Sequence, residues 1–124
     1  MTTDLDTPAF TDLTDKKTAK LFRCLKGFAR NWQLIPYEHA AFLVDLPAWR
    51  KPFTCRLGAI SEHTWETDEV ILSALIVRKH EGTPNPLFYE FLETLMTVPA
   101  DEAGRLLLWA KLVREVHKFY GEEI

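Results

Sequence analysis

The side chains able to do chemistry in this chain are scattered. Cys24 and Cys55 have no histidine beside them and no metal-ligand spacing between them. Neither a Cys–His nucleophile nor a thiolate metal site is therefore written in the sequence. His63 and Glu66 stand three apart, with Asp68 and Glu69 following. One face of a helix would bring the first two to an ion, but the spacing arises often by chance, and a solvated acidic connector or an acidic helical turn explains the group more simply. Ser73 lies in an apolar run without the G-x-S-x-G elbow of a nucleophile, so its hydroxyl reads as a small polar group in the core. His39 and His117 adjoin apolar stripes and read as core histidines. There is no Gly-rich phosphate loop. No residue set identifies a reaction, and neither a metal nor another cofactor is expected.

Charge is the remaining chemistry. The net charge is −3, but residues 1–15 carry −4, residues 16–56 carry +7 and residues 57–124 carry −6. A basic middle third in an acidic chain suits a polyanion; the alternative is that opposite charges mix once the chain folds. Lys16, Lys20 and Arg23 recur at three and four residues and share a helix face. Arg50 and Lys51 precede a helix, Arg56 lies within it, and Arg78 and Lys79 precede a Gly/Pro turn. These are the candidate phosphate contacts. Trp49, between Ala48 and Arg50, is a candidate stacking surface.

The elements that must position these residues follow from periodicity. Residues 1–12 read as a loose tail and 13–124 as one domain. A helix capped by Thr14 or Asp15 runs to about Trp32, burying Thr18, Phe22, Leu25, Ala29 and Trp32. Pro36 opens a short helix from Tyr37 to about Val44, and Pro52 opens a third ending near Trp65. Val70 to Val77 reads as a strand, with a buried helix as the other reading of that run. An antiparallel partner is expected nearby in sequence, making a wing that ends at His80 to Pro84. Asn85-Pro86 opens a fourth helix with Phe88, Phe91, Leu92 and Leu95 inward. Asp101-Glu102 opens a fifth, with Ala103, Leu106, Leu107, Ala110, Val113 and His117 inward, ending near Tyr120.

On the third helix, Phe53, Leu57, Ile60 and Thr64 share the inward face, whereas Cys55, Gly58, Ala59 and Glu62 lie opposite. A major-groove reader shows Arg, Asn or Gln there. Small side chains instead let a backbone approach a groove or another helix closely.

At 47% apolar and 12% aromatic residues the composition is that of a protein with a real core. No apolar run reaches the length of a membrane span, and the acidic N-terminus lacks the pattern of a secretory signal. Two reduced thiols and a cytoplasmic location are expected.

"LSALIVRKHEGTPNPLF" resembles a signature of poorly characterised small bacterial and phage proteins, roughly L-S-A-L-V-V-x-K, two residues, G-x-P, and a Phe four residues after the Pro. Leu72 to Lys79, Gly82, Pro84 and Phe88 match it. Upstream, those proteins have a Tyr-led helix and an R-x-x-G-x-x-L-G-x-I element. Tyr37, Ala40 and Ala41 fit the first; Leu57, Gly58 and Ile60 fit the second, with Lys51 in place of Arg and Thr54 in place of Gly. The upstream pattern also resembles the winged-helix DNA-binding domain of alkylguanine-DNA alkyltransferases and alkyltransferase-like proteins. Their Pro-Cys-His-Arg motif corresponds to Leu72, Ser73, Ala74 and Leu75, so the nucleophilic Cys is absent. The resemblance implies DNA contact through Tyr37 and Lys51 without alkyl transfer.

The expectation is a mainly α (α+β) fold, winged helix-turn-helix-like: three helices, one strand with a wing-like turn, two C-terminal helices. The expected function is a non-catalytic nucleic-acid-binding module of low sequence specificity, using Lys16, Lys20, Arg23, Tyr37, Arg50, Lys51, Arg56, Gly58, Ala59, Arg78 and Lys79. The alternative is a protein-binding module, such as a phage or mobile-element inhibitor or a subunit of a larger complex; an enzyme ranks third. No membrane partner is expected.

Overall fold

The computed structural model describes residues 15–48 and 50–121. The expected tail and Trp49 lie outside the described residues. Among the described residues there are five α-helices: α1 Lys16–Arg30, α2 Tyr37–Leu43, α3 Lys51–Asp68, α4 Pro86–Leu92 and α5 Glu102–Gly121. Two short strands, β1 Ile35–Pro36 and β2 Ile76–Val77, and a 3-10 helix, Leu72–Leu75, complete the order. The mainly helical expectation holds, with a two-stranded sheet as its β part. No helix among the described residues is long and apolar enough to cross a membrane.

Helix α1 starts where the cap predicts. The Asp15 carboxylate accepts from the Thr18 backbone N–H at 3.0 Å and from its hydroxyl at 3.0 Å. Thr18, Leu21, Leu25 and Ala29 are its buried stripe. Trp32, expected inward, is 57% exposed. The helix ends at Arg30, the Asn31 side-chain amide donates to the Gly27 carbonyl, and Trp32 takes a positive φ of 57° as the chain turns towards β1. Its ring lies on His117, with centroids 5.1 Å apart.

The largest departure from expectation is at 70–77. Only Ile76–Val77 is strand, and Leu72–Leu75 is the 3-10 helix. All eight residues from Val70 to Val77 are buried. They form an axis surrounded by helices, and side chains from those helices replace a β partner. The Ser61 hydroxyl accepts from the Ser73 N–H at 3.0 Å. The Thr64 hydroxyl donates to the Val70 carbonyl at 2.8 Å. The Trp109 indole N–H donates to the Ala74 carbonyl at 2.9 Å. Backbone groups satisfied in this way need no ladder.

The partner of β2 is also not the expected one. Ile76 pairs with Ile35 and Val77 with Pro36, in parallel. A parallel pair needs a long crossover, here α2, α3 and the 3-10 helix. The segment after β2 cannot return as a hairpin because it closes on itself. Arg78 N–H donates to the Thr83 carbonyl at 2.8 Å, and Gly82 N–H, at a φ of 71°, donates to the Arg78 carbonyl at 2.9 Å. The expected wing hairpin is therefore reduced to a tight turn.

Helix α3 runs three residues beyond Trp65, so the expected acidic connector is its last turn. It stops at Glu69, which has a φ of 58°. Helix α5 buries Leu112, Val116, His117 and Tyr120, whereas Leu107 is 74% exposed and Ala103, Leu106 and Ala110 also face outward. Leu106, Leu107, Leu108 and Trp109 are consecutive, so apolar periodicity alone does not choose a face. The Trp109 bond to Ala74 shows which side packs.

Two apolar clusters result. The larger joins α1, α2, α3, both strands, the 3-10 helix and the end of α5, with Phe53, Leu21, Leu25, Ile60 and Leu75 fully enclosed. The smaller joins Ile71, Ala74, Phe88, Tyr89, Leu92 and Leu112 beneath α4.

Candidate nucleic-acid interface

The basic residues divide into two sets. Lys16, Lys20 and Arg23 are exposed along α1, opposite its buried stripe. Arg50 and Lys51 are exposed at the start of α3, and Lys79 is exposed at the start of the closed turn. None of these six forms an ion pair with a described residue. Between described residues the ion pairs are Arg56–Asp15 and Arg78–Glu81.

Those pairs define the second set. Arg56 is only 6% exposed. Its Nη2 lies 3.1 Å from the Asp15 carboxylate, its Nε donates to the same oxygen, and its Nη1 donates to the Pro52 carbonyl. Arg56 thus couples the cap of α1 to the first turn of α3 and is withdrawn from the surface expected of it. Burial acts to raise the Asp15 carboxyl, but hydrogen bonds from Thr18 and the contacts with Arg56 outweigh it and hold the group below its ordinary value. Arg78 is half-buried, and its Nη2 donates to the Thr83 hydroxyl at 3.0 Å. It faces a cavity beside α4 and α5, whereas Lys79 points to solvent.

Between α3 and α4 lies a small apolar cleft of about 80 Å³, lined by Thr54, Leu57, Gly58, Leu87, Phe88 and Phe91 with Tyr37 of α2 and Ser73 of the 3-10 helix. Tyr37 is 8% exposed, and burial pushes its hydroxyl up to about 12. Its ring meets Phe53 edge-on at 6.0 Å between centroids. The Ser61 hydroxyl donates to the Ser73 hydroxyl at 2.6 Å, fixing Ser73 as a polar group at the cleft. Gly58 faces α4: a Cβ built there would sit 3.8 Å from Phe91. Part of the small face of α3 is thus occupied by a helix of the same chain. Ala59, beside it, is half-buried.

The expected site residues are thus brought together only in part. Tyr37 and Gly58 share the cleft, with Lys51 one turn from Thr54 on its rim. Lys16, Lys20 and Arg23 form a separate stripe, joined to α3 through Asp15 and Arg56. His117 is buried and its Nε2 lies 3.2 Å from the Gln33 carbonyl, as a core histidine should; His39 is exposed, its ring against Phe28. Cys24 and Cys55 are free thiols. Sequence reading missed Phe91, Leu87 and Thr54 as cleft walls and the pairing of Ser61 with Ser73. The twelve-residue separation of those serines hides a contact that only the reversal after α3 creates.

No protein-family profile, curated protein or solved structure matches this chain.

Proposed function

We propose that the chain is a non-catalytic nucleic-acid-binding module of winged-helix type with low sequence specificity, working in the manner of the alkyltransferase-like proteins it resembles. The closed turn 78–83 stands in for a wing, and α2 with α3 forms the helix-turn-helix. The observation behind this reading is a set of exposed cations without ion pairs to described residues. Lys16, Lys20, Arg23, Arg50, Lys51 and Lys79 stay exposed and free of ion pairs with described residues, although the chain is acidic overall. Six uncommitted cations suit phosphates. The outward face of α3, with Cys55, Ala59 and Glu62, offers no bidentate donor to a base edge, so binding should discriminate weakly among sequences.

The test is binding of labelled duplex DNA, single-stranded DNA and RNA across a salt series. Binding should be weak and fall with salt. The triple variant K16Q/K20Q/R23Q should flatten the slope of log K against log salt by up to about 2.7 on duplex DNA, evenly across sequences. Absence of binding at low salt rejects the reading, and a steep preference for one sequence rejects its low-specificity part.

A protein partner is the second reading. Phe42 is 75% exposed, in a shallow depression with Pro36, Glu38, His39 and Lys79. An exposed aromatic ringed by polar groups is a common centre of protein contacts. Phe42→Ala should leave nucleic-acid binding unchanged and abolish capture of a protein partner.

A further inference from the structure

A second group of guanidinium donors lies beside the turn 78–83. A cavity of about 310 Å³ opens between the turn 78–83, the start of α4 and the start of α5. Arg78 and Arg105 both line it, with Tyr89 between the elements they come from and Glu102 at the edge. Each guanidinium is fastened at one point. Arg78 donates through Nη2 to the Thr83 hydroxyl at 3.0 Å. Arg105 donates through Nε to the Pro99 carbonyl at 3.0 Å, and its guanidinium carbon stands 5.4 Å from the centre of the Tyr89 ring. Other donors are left over. The Arg78 Nε is buried and makes no hydrogen bond among the described residues; the Glu81 carboxylate, at 4.0 Å, is too far to accept one. The terminal nitrogens of Arg105 donate to nothing described. The buried Arg78 Nε has no surface open to the cavity, so an oxyanion there would accept from the terminal nitrogens of Arg105 instead.

Charge and wall chemistry narrow the class. The two guanidiniums are opposed by the Glu102 carboxylate in the lining and by Glu81, paired with Arg78 at 4.0 Å, which leaves little net positive charge. That matches a monoanion better than a phosphate dianion. Pro84, Pro86, Ala100 and Leu106 supply apolar lining. Burial pushes the Tyr89 hydroxyl up, with Glu102 adding to the shift and Arg105 and Arg78 opposing it.

We propose that this cavity is a binding site for a carboxylate on a small apolar body, with the carboxylate on the terminal nitrogens of Arg105 and the body against Pro84 and Leu106. The carboxylate could be a free organic acid or the end of a peptide chain. The cavity shares the turn 78–83 with the proposed nucleic-acid face through Arg78 and Thr83, but none of Lys16, Lys20, Arg23, Arg50, Lys51 or Lys79 lines it.

Sodium benzoate titrated into the isotopically labelled full chain tests it by amide NMR. Saturable shifts are expected at residues 78–83 and 100–106. Arg105→Gln should weaken binding at least about tenfold, as loss of a charge-assisted pair requires. Glu102→Gln, which removes the opposing charge, should tighten it. Should Arg105→Gln fail to fold, the Glu102→Gln titration still decides. A peptide with a free C-terminus, compared with its amidated form, separates the two sources. Tighter binding than benzoate assigns the site to chain ends and weaker binding to free acids, and both support the proposal. Unsaturable shifts, no change in either variant, stronger binding of inorganic phosphate, or equal binding of the amidated peptide would each overturn it.

Discussion

The two apolar clusters are stabilised in different ways. Around the 3-10 helix, buried hydroxyls are threaded through the packing: Ser61, Ser73, Thr64 and Thr18 are all buried, and each hydroxyl has a partner. Beneath α4 the packing is largely aromatic, with Phe88 and Tyr89 edge-to-face at 5.5 Å between centroids and Phe91 only half-buried. Both cavities singled out above border this second cluster and none of the fully enclosed residues of the first. Where side-chain hydroxyls tie the backbone, Leu72 and Leu75 are fully enclosed, although Ser73 reaches the edge of the cleft. Where flat rings meet two prolines and a short helix, space is left over, and binding surface can form there.

The sharpest test compares truncations in the two clusters. Ile60→Ala, at a fully enclosed position, should cost about 2–5 kcal/mol in chemical denaturation. Phe91→Ala should cost less than half as much, because its ring already borders the cleft. Equal costs would erase the distinction.

Ser61→Ala probes the hydroxyl ties. It leaves the buried Ser73 N–H without its acceptor, and should cost about 1–3 kcal/mol. Thr94→Ala, which removes an exposed bond to the Phe91 carbonyl, should change stability by no more than about 0.5 kcal/mol.

A smaller effect is expected at Asp15, which caps α1 and pairs with Arg56. Asp15→Ala should cost about 1 kcal/mol at neutral pH. The folded carboxyl is held below its ordinary value of 3.8. Its stabilising contribution is therefore complete above 3.8 and fades as pH falls through the lower folded value. Denaturation curves of Asp15→Ala and the parent should converge in acid; a gap that widens there would contradict the assigned bonds.

The smallest change is a gain. Gly58→Ala places a methyl at ordinary contact distance from Phe91 in the middle of α3, and should stabilise by about 0.5–1 kcal/mol. If it destabilises instead, the α3–α4 contact is tighter than its 3.8 Å spacing implies.

Much of the helical framework was legible in local chemistry. Asp15 and Asn85 are both found as caps, accepting from Thr18 and Leu87. Pro36, Pro52 and Pro86 stand where helices begin. Those signals act within one turn, so they survive any tertiary arrangement. The stripe of α1 was readable for the same reason, because polar residues occupy every other face. Helix α5 was misread because its apolar residues surround the axis. Of the candidate site, the exposure of the α1 lysines followed from amphipathicity, whereas the burial of Arg56 did not. Its partner Asp15 lies 41 residues away and meets it only when α1 packs on α3.

The sequence by itself determined where most helices start, that 70–77 must be buried, and that the basic residues concentrate in the middle third. These depend on side-chain size, capping and charge along the chain. Tertiary structure alone decided that the buried run would coil into a 3-10 turn instead of extending, because Ser61, Thr64 and Trp109 satisfy its peptide groups from neighbouring helices. It also decided the parallel pairing of Ile35 with Ile76 and the meeting of Arg78 with Arg105 across one cavity. Such contacts join residues far apart along the chain, and their energies exist only once the helices between them have packed.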